Sequence, residues 1–303
     1  TIFAPYLYLW GKGNTEYYKI STLTEAHQKL GLNTVTLAFV VNSVDDIHRW
    51  EDDIRNFYSI TNNNGNIILS FGGALGNYLS NFLNEDEEFE AILNILRQYN
   101  INAIDYDIEG SNLTNLTLIN QIGRVLSRLQ SALQNNLYIS LTLSSHPNLG
   151  LTNDAIHCIQ TIQGYNVNIT LINAMAMDYY MSLDDIPYAN TWGQAAIKVI
   201  ELMKAQLHSH VFPNRSAQEI YKSIGICPMI GKNDDNSVFT QSDFVELLNF
   251  VRYRDIGLLT FWALNRDQVI AEEDLNKPEM SIAISSFSQS NDFEYSRTAI
   301  NYL

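Results

Sequence analysis

The sequence has few cysteines and few basic residues, and each shortage excludes a class of protein. Cys158 and Cys227 are the two cysteines among 303 residues, and neither a CxxC nor an HExxH motif is present. A disulfide-dense small domain and a zinc site built on these motifs are therefore excluded. We expect both cysteines to be buried, Cys158 on a helix and Cys227 in a strand, with a disulfide between them disfavoured. We predict no metal and no organic cofactor.

Basic residues are outnumbered by acidic ones, with 18 Lys and Arg against 33 Asp and Glu and a formal charge of −15. Phosphates would repel such a chain, so we expect neither a nucleic-acid partner nor an anionic membrane partner. No apolar run approaches the roughly 20 residues that span a bilayer, and residues 1–5 lack the pattern of a signal peptide. The composition favours an enzyme that acts on a neutral substrate, and we expect a monomer.

Eight runs rich in apolar and β-branched residues recur along the chain, with room for a helix between successive runs. They predict strands over residues 3–9, 34–40, 66–73, 102–109, 138–145, 171–179, 223–230 and 258–264. Helical periodicity fills several of the gaps, over residues 83–99, 113–133, 192–208 and 241–252. This alternation predicts an α/β fold, a (β/α)8 TIM barrel that forms a single domain over residues 1–303. A doubly wound open sheet is the alternative, but no GxGxxG follows the first strand.

Three carboxylates alternate with apolar residues in the fourth predicted strand, at Asp105, Asp107 and Glu109. Alternate side chains of a strand point to the same face, so these three would lie together. Like charges this close resist joint ionisation, and at least one carboxyl should hold a proton near neutral pH. A protonated carboxyl at a strand end is suited to general acid catalysis. The alternative, a solvated acidic stripe on an edge strand, is disfavoured because the flanking residues are typical of a buried strand.

Other residues with useful chemistry also follow predicted strands. In barrels of this type the active site forms where the strands end, so we expect these residues to converge on one cleft with Glu109. Taken singly, each is better explained by core packing or by a turn, and it is their shared position that indicates function. They are Ser70, Gly72 and Gly73 on the third strand, Met175, Met177, Asp178 and Tyr179 on the sixth, Met229, Asn233 and Asp234 at or after the seventh, and Trp262 on the eighth.

Five segments resemble glycoside hydrolase family 18, the chitinases and related endo-N-acetylglucosaminidases. Residues 102–109 are similar to the family signature Asp-x-x-Asp-x-Asp-x-Glu, and residues 70–73 match its Ser-x-Gly-Gly motif. Residues 173–179, 228–234 and 261–267 resemble motifs in a bacterial branch of single-domain chitinases. The chain between the seventh and eighth strands is too short for the α+β insertion domain that some members carry.

The resemblance implies hydrolysis of β-1,4-linked N-acetylglucosamine polymers and oligomers by a substrate-assisted mechanism with retention. Glu109 would act as general acid and base, and Asp107 would hydrogen-bond the acetamido group of the sugar. Asp105 would hold Asp107 and share a proton with it. Asp178 and Tyr179 would position the acetamido group for attack.

The resemblance also implies substrate-binding roles. Trp262 would form the floor beneath the sugar, because the apolar face of a sugar ring packs on an aromatic ring. The other implied substrate-binding residues are Met175, Met177, Ser70, Gly72, Gly73 and Tyr6. Tyr180 and Trp192 are further candidates for sugar contacts.

The chain departs from the family pattern at two places. Asn102 replaces the first Asp of the signature, the position farthest from the bond to be cut, so we expect an altered pH profile rather than lost activity. Many members have Met-x-Tyr-Asp on the sixth strand, whereas here Asp178 precedes Tyr179. Which hydroxyl group reaches the substrate is therefore an open question.

Two other functions stay open. One is an endo-β-N-acetylglucosaminidase that cuts the chitobiose core of N-glycans with the same catalytic residues. The other is a catalytically inactive chitin-binding lectin, which the intact Glu109 disfavours. Because polymeric chitin cannot enter a cell, we expect the protein to be secreted.

Overall fold

The computed structural model describes residues 1–277 and 281–303 and shows a closed barrel of parallel strands. In the sheet order, β1 (Ile2–Phe3) lies at one end and β2 (Tyr6–Tyr8) at the other. Only Ala4 and Pro5 separate these strands, so together they form the first barrel strand and close the sheet. Thr36 N–H donates to Pro5 O (3.1 Å), which continues the pairing across the break.

The other barrel strands follow one another in chain order, and each pairs with its neighbours in parallel. They are β3 (Thr34–Val40), β4 (Asn66–Gly72), β5 (Ala103–Ile108), β6 (Tyr138–His146), β8 (Leu171–Ala176), β9 (Ile224–Pro228) and β12 (Leu258–Leu259). Three short strands add to this ring. β7 (Gly150–Leu151) pairs antiparallel with the end of β6, and β10 (Gly231–Lys232) and β11 (Val238–Phe239) form a separate hairpin.

Helices connect the strands and cover the outside of the barrel. Most begin at a side chain that accepts a hydrogen bond from the first turn, which satisfies a backbone donor left free at the helix start. These capping residues are Thr22, Asn84, Asn115, Thr152, Thr191, Ser216 and Thr240. The helices are α1 (Leu23–Leu30), α2 (Asp45–His48), α3 (Glu51–Ile60), α4 (Glu85–Gln98), α5 (Leu116–Ala132), α6 (Asn153–Gln163), α7 (Trp192–His210), α8 (Ala217–Lys222), α9 (Gln241–Arg254) and α10 (Glu294–Tyr302).

Successive strand side chains point alternately outward to the helices and inward to the barrel axis. The outward residues, such as Leu69, Ile104 and Leu141, are buried in one apolar core shared with the helices. The inward residues near the strand starts form a small apolar layer of Ala4, Ile68, Leu171 and Leu258. Above this layer the barrel interior is polar, with Ser70, Asp105, Ser140, Thr142 and Asn173 all buried. This polar interior leads to the C-terminal ends of the strands.

The predicted barrel is confirmed, although the sixth and eighth strands end three or more residues before their predicted ends. The sixth strand was predicted to reach residue 179 but ends at Ala176, because Asp178 adopts a left-handed φ of 49°. The eighth was predicted to reach residue 264, whereas β12 ends at Leu259. Beyond it the chain stays extended, and Trp262 N–H donates to Pro228 O (3.0 Å).

Three further expectations are answered by the fold. Cys158 and Cys227 are free and buried, on α6 and β9 as predicted. Between β9 and β12 the chain forms only the β10–β11 hairpin and α9, so an insertion domain is absent there. Among the helices in the described part of the chain, none combines the length and the apolar character needed to cross a membrane.

Candidate active site

The C-terminal ends of the barrel strands surround a cavity of about 340 Å³. Nine of the residues predicted for the site line this cavity: Asp107, Glu109, Asp178, Met175, Met177, Tyr6, Met229, Asp234 and Trp262. Its other lining residues are Phe39, Ala74, Thr142, Ser144, Ser145 and Cys227. The convergence predicted from strand ends is therefore found at one cavity, on the face where such barrels carry their active sites.

Asp105 lies below the cavity, inside the barrel, and is 2% exposed. Four hydroxyl groups donate to its carboxylate. Ser70 Oγ (2.6 Å) and Tyr6 Oη (3.1 Å) bind Oδ2, while Ser140 Oγ (2.6 Å) and Thr142 Oγ1 (2.8 Å) bind Oδ1. Burial raises the pKa of Asp105, and these four hydrogen bonds act in the opposite direction. The pKa of Asp105 stays above its usual value because burial is the larger effect, but four donors aimed at two oxygens favour the ionised form and limit the rise.

Asp107 is the next inward residue of β5 and has very different surroundings. It is 3% exposed, and no donor reaches its Oδ1 atom. Its carboxyl lies within hydrogen-bonding reach of Glu109. Burial raises the pKa of Asp107 well above its usual range, and repulsion from Glu109 and Asp105 adds to this effect. Burial also raises the pKa of Glu109, so both carboxyls of the Asp107–Glu109 pair keep a proton to higher pH than isolated ones would.

Asp105 and Asp107 were expected to share a proton, but the two carboxyls have different partners. Both oxygens of Asp105 are already occupied by hydroxyl donors, and the carboxyl partner of Asp107 is Glu109 instead. The expectation that at least one of the three carboxyls holds a proton agrees with the raised pKa values of Asp107 and Glu109.

The turn that presents Glu109 is fixed by Tyr78 and a glycine. Tyr78 Oη donates to Asp107 O (2.8 Å) and accepts from Glu109 N–H (3.2 Å). Gly72 has a φ of 97°, and a Cβ there would lie 2.3 Å from the Tyr78 ring and 2.4 Å from Asp107 O. Only glycine permits this approach. Gly72 and its neighbour Gly73, whose N–H donates to Asp107 O (3.1 Å), thus support the turn without lining the cavity.

A second carboxyl pair lies in the same cavity. Asp178 follows β8, and its carboxyl is hydrogen-bonded to that of Asp234 in the β10–β11 hairpin. Burial raises the pKa of Asp178 to about 7, and the hydrogen bond to Asp234 and repulsion from it act in the same direction. Within residues 1–277 and 281–303, no group of three or more His, Cys, Asp or Glu side chains is arranged to hold a metal ion.

Aromatic rings form one wall of the cavity around Trp262. Phe39 stacks on Trp262, with ring centroids 5.6 Å apart and planes 11° apart, and Tyr6 packs on it at 5.6 Å. Beyond the cavity, Trp10 stacks on Tyr8 at 4.5 Å and lies 6.1 Å from Trp262. Trp10 is 62% exposed, so the aromatic surface continues from the cavity into solvent. Such a surface is suited to the apolar faces of sugar rings.

Besides Asp105, Gly72, Gly73 and Asn233, four further predicted residues lie outside the cavity lining. Ser70 is buried and acts on Asp105, as described above. Tyr179 packs against Trp192 with ring centroids 6.0 Å apart, and its hydroxyl lies beside Ser145 rather than in the cavity. Trp192 is the first residue of α7, and Tyr180 is 75% exposed. None of Tyr179, Tyr180 and Trp192 contributes to the cavity surface.

The structure also adds residues that sequence reasoning did not single out. Phe39 and Trp10 extend the aromatic wall, and Tyr78 holds the turn that carries Glu109. Trp10 follows directly after the first predicted strand, so its position past a strand end was an available signal. Tyr78 gave no such signal, because it lies in a loop and acts through backbone atoms of another strand.

The fold and the site define a (β/α)8 barrel whose C-terminal face holds a cleft lined by carboxyls and aromatic rings. Residues 4–221 match the family model described as glycosyl hydrolases family 18, and the chain belongs to this family. The family resemblance found in the sequence is therefore confirmed.

Curated relatives and solved structures agree with this membership. The chain is 28% identical over 213 residues to a probable bifunctional chitinase/lysozyme of Escherichia coli and to endochitinase 11 of Metarhizium anisopliae. These matches cover 67% of this chain but only 23% and 40% of those proteins. The chain thus spans less than half the length of either relative. The catalytic domain of a hyperthermophilic chitinase from Pyrococcus furiosus has a TM-score of 0.82 and 28% identity, covering 99% of this chain and 94% of that one.

Proposed function

We propose that this protein is a chitinase that hydrolyses β-1,4-linked N-acetylglucosamine polymers and oligomers. The observation that carries the proposal is the buried Asp107–Glu109 carboxyl pair, held at the end of β5 beside the Trp262 wall with raised pKa values. A carboxyl that keeps its proton near neutral pH is a competent general acid, and the aromatic wall suits a sugar. The chitinases among the relatives support the choice of substrate.

In the proposed mechanism, Glu109 protonates the glycosidic oxygen as the bond to the anomeric carbon breaks. The carbonyl oxygen of the substrate's own 2-acetamido group attacks that carbon and forms a cyclic oxazolinium ion. Asp107 accepts a hydrogen bond from the acetamido N–H and stabilises its positive charge. Glu109, now ionised, takes a proton from the water that opens the ring, and the product keeps the original anomeric configuration.

The remaining proposed roles concern orientation and binding. Asp105 supplies a fixed negative charge beneath Asp107. Asp178 positions the acetamido group from the opposite side of the cavity, and Tyr179 supports the end of the same strand. Trp262 packs under the sugar, and Met175 and Met177 fill the space beside it. No step in this mechanism requires a metal or an organic cofactor.

We further propose that residues 1–303 act as one catalytic domain and that the protein is a secreted monomer. One continuous apolar core surrounds the barrel, which supports a single domain. Secretion follows from the substrate, because a polymer as large as chitin stays outside the cell. Gel filtration with light scattering tests the monomer, and localisation of the full-length product tests the secretion.

The function is tested by incubating a chitooligosaccharide series with the wild type and with Glu109→Gln, and by resolving products by length and anomer. The substitution removes the proton donor at nearly constant volume, so it should abolish cleavage and preserve binding. Cleavage by the wild type alone with initial β-anomers is the expected result. Binding without cleavage by either protein would contradict the proposal and favour a lectin. Activity confined to N-glycans would contradict it in favour of an endo-β-N-acetylglucosaminidase.

A further inference from the structure

Asp234 enters the cavity from a part of the chain that the family match does not cover. It lies in the turn of the β10–β11 hairpin, beyond residues 4–221. The hairpin folds back over the barrel, and Asp234 lines the same cavity as Asp107, Glu109 and Asp178. The proposed mechanism gives this carboxyl no role.

The hairpin is held firmly at its base. Arg266 is fully buried, and its guanidinium donates to Ile230 O (2.8 Å) and to Lys232 O (2.9 Å) on the hairpin. Asn233, which is 4% exposed, donates through Nδ2 to Met229 O (2.9 Å) and Gly231 O (3.1 Å). These bonds fix the direction in which the next residue, Asp234, leaves the turn.

The same hairpin binds the segment that carries Asp178. Asp178 N–H donates to Asn233 Oδ1 (3.2 Å), and Asp178 Oδ1 accepts from Asp235 N–H (3.2 Å). Tyr180 N–H donates to Asp235 Oδ2 (3.1 Å). Asp178 has a left-handed φ of 49°, a conformation that a non-glycine residue keeps only when its surroundings hold it. The hairpin supplies those surroundings, and the carboxyls of Asp178 and Asp234 meet where it does so.

Asp107 lines the same cavity and is only 3% exposed, and its Oδ1 atom has no hydrogen-bond donor among the described residues. A buried acceptor of this kind can accept from a protonated Glu109 or from a bound ligand, such as the acetamido N–H of the proposed substrate. The Asp178–Asp234 pair forms part of the wall around the same space.

We infer that Asp234 is a positioning residue for the proposed hydrolysis, because it holds the Asp178 carboxyl in place at the cavity wall through one shared proton. The inference rests on the proposed function for its effect on rate, but the pairing itself does not. As a consequence, the rate of hydrolysis should depend on the titration of the Asp178–Asp234 pair as well as on that of Glu109.

Among the neighbouring charged groups, Asp234 is the one whose side chain is hydrogen-bonded to the Asp178 carboxyl. The backbone N–H of Asp235 donates to the Asp178 carboxyl, while the Asp235 carboxylate accepts from Tyr180 N–H and from Ser237 N–H (3.0 Å). Arg266 attracts both carboxylates of the pair only through space, since its donors are used by backbone carbonyl groups. The Tyr180 ring is exposed to solvent. No cation is hydrogen-bonded to Asp178 among the described residues.

The direction of the pH effect follows from the shared proton. The pKa of Asp178 is raised to about 7, first by burial and then by Asp234. Below this pH a proton joins the two carboxyls in a hydrogen bond. Above it two negative charges repel each other, and Asp234 no longer holds the Asp178 carboxyl in place. In Asp234→Asn the amide N–H can donate to ionised Asp178 without any shared proton, so the contact survives at higher pH.

The kinetic test compares the wild type, Asp234→Asn, Asp234→Ala and the exposed control Asp184→Asn in chitooligosaccharide hydrolysis across pH. We expect Asp234→Ala to lower kcat/KM by about 10²-fold, as for a misplaced group, and Asp184→Asn to leave it unchanged. On the alkaline limb the wild type should lose about two protons and Asp234→Asn about one, with the limb moved to higher pH. Wild-type rates in Asp234→Ala, or the same alkaline limb in Asp234→Asn, would overturn the inference.

A second measurement separates this inference from the proposed function. Carboxyl ¹³C NMR of Asp178, assigned with Asp178→Asn, needs no substrate and reports its titration in folded wild type and Asp234→Asn. We expect the pKa of Asp178 to fall by about one unit or more in Asp234→Asn. An unchanged titration overturns the inference, whatever the activity. A shifted titration in a protein that cleaves no chitooligosaccharide would support the pairing while the proposed function fails.

Discussion

Two carboxyls two residues apart on β5 illustrate how one strand can serve opposite purposes. Asp105, in the barrel interior, receives four hydroxyl donors from strands on both sides of it. Asp107, at the cavity, receives no donor at Oδ1 and lies within hydrogen-bonding reach of the Glu109 carboxyl. Burial is nearly equal at the two positions, 2% and 3% exposed, so burial does not account for the difference between them. The difference comes from the number of hydrogen-bond donors and from the neighbouring carboxyl of Glu109.

We interpret the comparison as a division between a position whose donors favour a charged carboxyl and one whose neighbours favour a protonated carboxyl. A carboxylate with four donors below the cavity would keep a negative potential under it. An unsaturated carboxyl pair above costs stability and supplies the acid. The proposed chemistry needs both.

The largest effect is expected from a substitution of Asp107, the carboxyl at the cavity. Asp107→Asn should lower kcat on chitooligosaccharides by about 10²–10³-fold, because an amide cannot supply the negative charge that stabilises the transition state. Steady-state kinetics at the wild-type optimum, with the exposed Asp184→Asn as control, measures this. A kcat within tenfold of wild type would remove Asp107 from the mechanism.

A substitution of Asp105, the carboxyl in the barrel interior, should act mainly on the stability of the fold. Asp105→Asn replaces an acceptor oxygen with an NH2 group that faces hydroxyl donors, so at least one donor becomes unsatisfied. We expect the free energy of unfolding to fall by about 1–3 kcal/mol. Denaturant unfolding at neutral pH measures it, and Asp107→Asn is the matched control, since the same change there should not destabilise. Equal losses in both variants would mean that the two positions do not differ.

The pH dependence of stability should sharpen the contrast. The pKa of Asp107 is raised in the folded state, so between its unfolded and folded pKa values the folded protein binds the extra proton. Stability therefore falls as pH rises through this window. Asp107→Asn should unfold at a higher temperature than wild type at neutral pH and at a similar one in acid. Thermal melts from acid to neutral pH test this, and a wild type that gains stability as pH rises toward neutral would contradict it.

The smallest effect should come from removing one donor of Asp105. Ser140→Ala should raise the pKa of Asp105 and lower the free energy of unfolding by about 1 kcal/mol, since three hydroxyls still bind the carboxylate. Comparison with Ser131→Ala, an exposed serine on α5, separates this from a general effect of the substitution. If the two alanine variants were equally stable, the hydroxyl at Ser140 would be irrelevant to Asp105.

The alternation of residues 104–109 was sufficient to place Asp105, Asp107 and Glu109 on one face, because side chains on a strand repeat every two residues. The same pattern made Asp105 and Asp107 look equivalent, and the family resemblance implied that they share a proton. Their difference depends on Ser70, Ser140 and Thr142, which reach Asp105 only through the register of β4, β5 and β6. Register across a barrel is not encoded in any one segment.

Sequence patterns also located strand ends better than loops. Trp262 and Asp178 were predicted for the site because they follow apolar runs. Asp234 was expected at the cleft, but its pairing with Asp178 was not predicted. That pairing depends on the β10–β11 hairpin, whose strands of two residues each are too short to show a sequence pattern. Tyr179 was expected at the substrate from its position after the sixth strand. The left-handed φ of Asp178 changes the course of the chain, and Tyr179 packs against Trp192 instead.

Neutron diffraction from a crystal of the ligand-free protein at neutral pD tests the division between the two carboxyl positions most directly. We predict a deuterium between the Asp107 and Glu109 carboxyls, none on Asp105, and the hydroxyl deuterium atoms of Tyr6, Ser70, Ser140 and Thr142 directed at Asp105. A deuterium bonded to the Asp105 carboxyl, with Asp107 and Glu109 both ionised, would contradict it.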